Sequence, residues 1–553
     1  MKRREFITSA GLAALGAAFS PSPARPAPLR TALDAPLYDT EFFEAAERFV
    51  FLSPQEAVLS LAVKPGRELD VKLFKGQTAS GMSSGTASTY RRVRDVLDIP
   101  LAGHFWGPEF HYRLEFKDAT ASSGWRTTPA RRVKTPRSYQ ETRRLEVIIA
   151  ADDHTYDDAD MPGRAVQDPK LREDRLSGEY VNHFLRRLDR EPSYVPDEDS
   201  DEAKVRSGYG LAKLIHLILE RENPDLMFVL GDSTGIGAGY KWSGLGLKDP
   251  GEASAADYDA YARLFWLRMR RMYSALTPRL PVYLVLGNHD GESGYDYARP
   301  WALAWRKTYF RQPGALQGQA IDENFFCLPW GNAAGGENPH FIVLDNEAYN
   351  PPPGPLRPED WTLGVEQKVW LEHALEHEAR WKFAFSHHVL GGWPRGTHEG
   401  IGSYAYGRGP LFTAEDYAPY CSDPGRVEQV ELTRIMSERG VKAHFYGHDH
   451  IHFVRKMDGL LTGVCVGPPK PVGELAWYKG ELWKKHYGCY GHYQTEPSRF
   501  CDPADFWGPS GYAKLILTPS SAVLEYKRAA YNHPHTNLPR EAASGDLIRK
   551  TAL

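Results

Sequence analysis

Five short polar clusters each close an apolar run. Asp152-Asp153-His154 follows "LEVIIAA", Gly231-Asp232 follows "LMFVL", Gly287-Asn288-His289-Asp290 follows "VYLVL", Ser386-His387-His388 follows "WKFAF", and Gly447-His448-Asp449-His450 follows "VKAHFY". Their side chains are carboxylates, an amide and imidazoles, a nitrogen and oxygen donor set that Zn, Mn and Fe all accept. One histidine after a strand is more often a satisfied structural residue than a ligand. Five clusters in succession, each at the carboxyl end of a predicted strand, call for a shared purpose.

The elements that must position these clusters alternate. Residues 282–286 are short, β-branched and bounded by Pro281 and Gly287, as a buried strand is. Parallel strands bring their carboxyl ends to one rim, where open α/β sheets place their ligands. Between the strands, Leu211, Leu214, Ile215, Ile218 and Leu219 recur at helical spacing before Pro224. Further helices are expected from about Tyr258 to Leu276, over "VEQKVWLEHALEHE", and up to Gly440. This alternation specifies a layered α/β core. Ahead of it, from about residue 40 to 136, Leu59, Leu61 and Val63, Leu69, Val71 and Leu73, and Tyr112, Leu114 and Phe116 follow period two, as in a β-sandwich. Trp125 is expected in its core. Near the end, "YAKLILTPSSAVLEYKRA" reads as a hairpin around Pro519. The acidic stretches at 157–160 and 197–203 lack the EF-hand spacing and read as solvated loops.

With 553 residues, two domains or one large decorated domain are expected. From a net charge of −4, with 67 basic and 71 acidic residues, no specific nucleic-acid or membrane partner follows. The five cysteines, Cys327, Cys421, Cys465, Cys489 and Cys501, show no CxxC spacing, which argues against a thiolate zinc site. A Cys489–Cys501 disulfide is compatible with the spacing. The opening "MKRREFITSAGLAALGAAF" pairs Arg3 with Arg4 ahead of an apolar stretch too short to span a bilayer. It resembles a twin-arginine export signal, with small residues for cleavage near Ala24 or Ala27, and it implies a periplasmic or secreted protein.

The order DxH, GD, GNHD, H and GHxH, in strand context, resembles the calcineurin-like metallophosphoesterase superfamily over about residues 145–530. "SSGWRTTPARRVKTP" resembles the last hairpin of the fibronectin-type domain that precedes many such cores. The resemblance implies a signal over 1–30, a β-sandwich over 38–138, a layered α/β/β/α phosphoesterase sandwich over 144–530 and a polar tail over 531–553. It implies two metal ions, one held by Asp152, His154, Asp232 and His450, the other by Asp232, Asn288, His387 and His448. His387 rather than His388 is the ligand by that pattern. Asp232 would bridge the ions, and their Lewis acidity would draw a proton from a bridging water that attacks the phosphorus. His289 would face the substrate as electrostatic stabiliser or general acid, with Asp290 orienting its imidazole. Purple acid phosphatases carry a Tyr three residues after the bridging Asp and end the first motif in Gly; Gly235 and His154 stand here, so a non-purple branch is implied.

The function so implied is an exported hydrolase of small phosphate mono- or diesters, with nucleotides also fitting. The alternative is a non-catalytic exported metal-binding or adhesion protein on the same fold. A structural metal site fits less well, because seven ligands shared by two ions resemble an open site. The aromatic-rich segment 474–512 is a candidate lid over the site, able to stack a planar leaving group.

Overall fold

The computed structural model describes residues 41–553 apart from 79, 83–87, 103–108, 123, 138, 156–165, 198–199, 237–241, 243–244, 278, 291–298, 314–323, 332–337, 347–362, 391–427, 449–451, 458–460, 470–505, 508–509 and 530–544. The expected signal, the 157–160 loop, the Cys489–Cys501 pair and nearly all of the candidate lid lie outside the described residues.

The first part of the chain is all β. Strands β1 (Arg48–Ser53), β2 (Glu56–Ala62) and β5 (Val96–Ala102) form one sheet. The second contains β4 (Ser88–Val93), β3 (Leu69–Gly76), β6 (Glu109–Asp118) and β7 (Arg126–Thr127), with β8 (Arg131–Lys134) also on β6. Strand β6 alternates half-buried and buried along its whole length, the period-two signature of a sheet wet on one face. The predicted apolar positions of β2, β3 and β6 are all buried. Trp125 departs from expectation: it is 37 % exposed, with the ammonium groups of Lys72 and Lys117 3.9 and 5.3 Å from its ring centroid. It sits just outside β7, so no strand alternation turns it inward, and a cation–π contact takes the place of burial.

After the single turn α1 (Tyr139–Thr142) come two facing sheets. The first runs β11 (Val282–Leu284), β10 (Leu226–Val229), β9 (Leu145–Ala150), β19 (Gly511–Leu517), β20 (Ala522–Arg528), β21 (Leu547–Ala552). The second runs β12 (Phe326–Pro329), β13 (His340–Val343), β14 (Lys382–Phe385), β15 (Val441–Tyr446), β17 (Leu461–Cys465), β16 (His452–Met457), β18 (Phe506–Trp507). Strands β9 to β11 are parallel, as are β13, β14, β15 and β17. The sheets meet through aromatic rings; Phe228 of one stacks on Phe385 of the other at 4.2 Å.

Helices cover the outer faces. α2 (Pro169–Ser177), α3 (Glu179–Arg190), α4 (Arg206–Leu217), α5 (Ala255–Met272) and α6 (Arg299–Tyr309) lie with the first sheet, whose Ile148, Met227, Val229 and Leu284 pack against Phe184, Leu211, Leu214 and Met269. α7 (Val365–Glu376) and α8 (Glu428–Glu438) belong to the second, α8 resting on β15 and β17. The result is the α/β/β/α order. The five ligand clusters therefore do not share one sheet: β9, β10 and β11 deliver three, β14 and β15 deliver two. Ser254 caps α5 in a reciprocal capping box with Asp257. α4 ends in one wider turn, Ile218–Glu222, that stops at Asn223 with φ +42° ahead of Pro224. No helix among the described residues is long and apolar enough to cross a membrane.

The β region and the core share one hydrophobic cluster. Buried arginines also tie them together: Arg270 donates to the carbonyls of Ala46 and Ser60, and Arg48 to that of Val282 at 2.8 Å. Leu547–Ala552, expected within a polar tail, adds the edge strand β21 to β20. Its half-exposed alternation leaves too few apolar residues for a strand signal.

Near the amino end of β9, Lys514 from the middle of β19 donates to Glu146 at 2.7 Å and Glu222 at 2.8 Å, all three nearly dry. Burial alone would raise the Glu146 carboxyl; the Lys514 ammonium and the Arg144 guanidinium more than offset it and bring it down from 4.5 to about 2. A carboxyl whose folded value is depressed stabilises the fold fully above its unfolded value and loses that contribution as pH falls through the folded one. Glu146→Gln should therefore lose about 2–3 kcal/mol near neutrality and be less sensitive than wild type between pH 5 and 2, read from unfolding midpoints. Equal acid sensitivity in both proteins would refute the assignment.

Candidate metal centre

The carboxyl ends of the five strands meet between the two sheets. Asp152, His154, Asp232 and His448 all have left-handed backbones, with φ of 52°, 44°, 57° and 65°. Such conformations cost a non-glycine residue on the order of 1–3 kcal/mol and persist only where surroundings enforce them. Three glycines make room. A Cβ on Gly231 would lie 2.6 Å from His387 Nδ1, one on Gly287 2.4 Å from Asp232 Oδ1, and one on Gly447 2.5 Å from Asp152 Oδ2.

Asp232 is central and fully buried. Its Oδ2 lies 3.3 Å from His154 Nε2, 3.3 Å from His387 Nε2 and 4.0 Å from His289 Nε2, while Oδ1 accepts the His289 backbone N–H at 2.8 Å. Burial would raise this carboxyl, yet the His387 and His289 imidazoles hold it well below the ordinary range. Asn288 Oδ1 lies 2.9 Å from both His387 Nε2 and His448 Nδ1. Asp152 accepts the His448 backbone N–H through both oxygens at 3.0 Å, and its Oδ1 stands 3.8 Å from His154 Nε2.

These donor atoms fit a pair of cations. Separations of 2.9–3.3 Å between neighbouring donors match the edges of a coordination shell with bonds of about 2.0–2.1 Å. His387 Nδ1 donates to the Leu230 carbonyl at 2.6 Å, which fixes the tautomer and leaves the Nε2 lone pair facing Asp232 and Asn288. Two compact groups result, Asp152-His154-Asp232 and His387-His388-His448. Of the residues expected from sequence, Asp152, His154, Asp232, Asn288, His387 and His448 are brought together; His450 lies outside the described residues.

Asp290 corrects an expectation. Its carboxylate accepts the backbone N–H groups of Asp232, Ser233, Thr234 and Gly287 and the Thr234 hydroxyl, between 2.7 and 3.0 Å. Among the described residues it gives the His289 ring no hydrogen bond. The turn that carries it bends back, Asp290 N–H donating to Gly287 carbonyl at 2.9 Å, so the carboxylate reaches the neighbouring strand end instead. Asp290 holds Asp232 in its strained conformation, and the carboxylate facing His289 is Asp232.

A second buried carboxylate, Asp153, was silent in the sequence. It accepts from Tyr273 at 2.7 Å and Ser233 at 2.9 Å; burial lifts its carboxyl to about 6, as burial and Asp232 do for Asp290. Tyr273 stands between motifs, at the end of α5, where nothing local marks it.

Residues 207–452 match the family model for calcineurin-like phosphoesterase. Over that span the chain is similar to calcineurin-like phosphoesterases. The match opens after the first cluster, and the geometry adds Asp152 and His154 to it. A purple acid phosphatase from yellow lupin (Lupinus luteus) seeds shares the fold with a TM-score of 0.50 at 12 % identity, covering 92 % of this chain and 73 % of that one. A dimetal phosphatase from Danio rerio is also similar, at 12 % identity and a TM-score of 0.33, over 73 % of this chain and 98 % of that one. No curated protein matches the chain in sequence. Each of the two compact donor groups could hold a metal ion.

Proposed function

We propose that the protein is an exported dinuclear phosphoesterase hydrolysing small phosphate mono- or diesters. The reading rests on Asp232, whose Oδ2 stands 3.3 Å from one histidine of each metal-binding group and so can serve both ions. Bound cations would supply Lewis acidity toward a phosphoryl oxygen and lower the pKa of water. The chain's own residues do the rest. His154 and Asp152 on one side, His387, Asn288 and His448 on the other, keep the donor set only modestly anionic. Asp290 and Asp153 fix the turn that presents Asp232.

His289 is the side chain placed to meet substrate. It keeps 16 % of its surface exposed, against 5 % for His154 and none for His387, and belongs to neither ligand group. From there it can hold a proton for the departing alkoxide. Gly235 has φ +78°, a backbone that a tyrosine would adopt only under strain, in keeping with a non-purple site. The paired Arg3 and Arg4 before an apolar stretch support export to the periplasm or beyond.

Loading the protein with Zn, Mn or Fe and presenting nitrophenyl phosphate, bis-nitrophenyl phosphate and nucleotides should give turnover of at least one class, abolished by chelator and restored by metal. Protein holding two ions per chain and turning over none of them would favour the non-catalytic binding protein. The iron-loaded form should show no intense visible charge-transfer band.

A further inference from the structure

We propose that His388 is a third imidazole ligand at the second metal, beside His387 and His448, and that it makes this site select a nitrogen-preferring ion such as Zn²⁺ over Mn²⁺. The proposal rests on the dinuclear reading and departs from the family pattern, which uses the first histidine of the pair. His388 Nε2 lies 3.1 Å from His448 Nδ1, and the two rings stand nearly perpendicular with centroids 4.0 Å apart. The same His448 Nδ1 is 2.9 Å from Asn288 Oδ1, which is also 2.9 Å from His387 Nε2. One N–H on His448 cannot point well at both an imidazole nitrogen and an amide oxygen. A single cation accommodates these three separations, each the edge length of a shell with bonds of about 2.0–2.1 Å, and the ligand nitrogens of His387, His388 and His448 all lie within 4.8 Å of one another.

The backbone of His388 is clamped from three strands. Its carbonyl accepts from Ser386 Oγ at 2.7 Å and from Asn346 Nδ2 at 2.8 Å. Ser386 has one proton and gives it to that carbonyl, so His444 Nε2, 2.6 Å away, donates to the serine oxygen. Ser386, His444 and Asn346 are completely buried. They follow or lie on β14, β15 and β13 respectively, and together they hold the His388 backbone at the site. With His388 included, the second site holds three imidazoles, an amide and a shared carboxylate. The first holds two carboxylates and His154 among the described residues. The nitrogen-rich set favours zinc, cobalt or nickel; the oxygen-rich set admits manganese more readily.

The experiment uses metal-free full-length protein titrated with Zn²⁺ and with Mn²⁺ against a chromophoric chelator, with ions per chain counted after removal of excess. Wild type should bind two Zn²⁺. His388→Gln and His388→Ala should weaken one of the two zinc sites by about 10²-fold or more while leaving the other unchanged, and narrow that site's preference for Zn²⁺ over Mn²⁺. Asn346→Ala, which loosens the clamp and keeps the ring, should weaken the same site by about 10-fold. His388→Gln preserves side-chain volume, and its metal-free unfolding midpoint, compared with wild type, shows that the fold is intact. Two zinc ions held with wild-type affinity by both His388 variants would overturn the proposal, whether activity falls, as for a residue touching substrate, or stays, as for packing alone. A wild-type protein that binds only one ion would overturn the dinuclear reading itself, and this assignment with it.

Discussion

Asp232→Asn is expected to lose bound metal and activity together, with kcat/KM falling by roughly 10³-fold or more. The change is nearly isosteric, and the backbone bond from His289 N–H to the side-chain oxygen can persist. What disappears is the negative charge between His154 Nε2 and His387 Nε2. Two divalent ions about 4 Å apart repel strongly, and a bridging carboxylate offsets that repulsion as an amide cannot. An amide nitrogen turned toward those imidazoles would also add a donor where lone pairs must converge on a cation. Metal analysis should find at most one ion per chain in the variant. Two retained ions, even with activity abolished, would refute the bridging role.

The site was legible because its parts are local. Each ligand stands within four residues of an apolar run that reads as a buried strand, and the glycines at 231, 287 and 447 mark turns where a Cβ would collide with a neighbouring cluster. What each ligand leans on was not legible, because those partners are distant in sequence. Tyr273 reaches Asp153 across 120 residues and the His448 N–H reaches Asp152 across 296. Asp290 shows the limit most clearly: adjacency to His289 suggested a partner for the ring, whereas the turn directs its carboxylate to four backbone N–H groups.

The same distinction holds for the fold. Alternation of strands and helices is a local signal and gave the layered core. Division of the five clusters between two sheets depends on Phe228 meeting Phe385 across the sandwich, and a run of buried aromatic residues carries no mark of which sheet it joins. Nor does a sequence show that Arg48 and Arg270 bind backbone carbonyls between the β region and the core, since arginine is ordinarily a surface residue. The edge strand β21 and the exposed Trp125 were missed for the converse reason, having little burial to pattern them.

His289→Ala separates acid catalysis from metal binding. The ring is outside both ligand groups, and the residue's N–H bond to Asp232 survives truncation, so both metals should remain. Turnover should fall by about 10²- to 10⁴-fold, the usual contribution of a positioned acid. The loss should be largest for alkyl phosphates, whose alkoxide needs the proton, and small for nitrophenyl esters, whose oxyanion is stable without it. Asn288→Ala offers the contrast: its oxygen lies against two imidazoles of the second group, so its removal should weaken one metal and harm every substrate alike. With Asp290 engaged by the turn, the charge beside the His289 ring is that of Asp232, 4.0 Å from Nε2. Asp290→Asn should consequently act through metal affinity and leave the leaving-group dependence as in wild type. Equal losses for good and poor leaving groups in His289→Ala, with both metals bound, would leave His289 as an electrostatic stabiliser and remove its acid role.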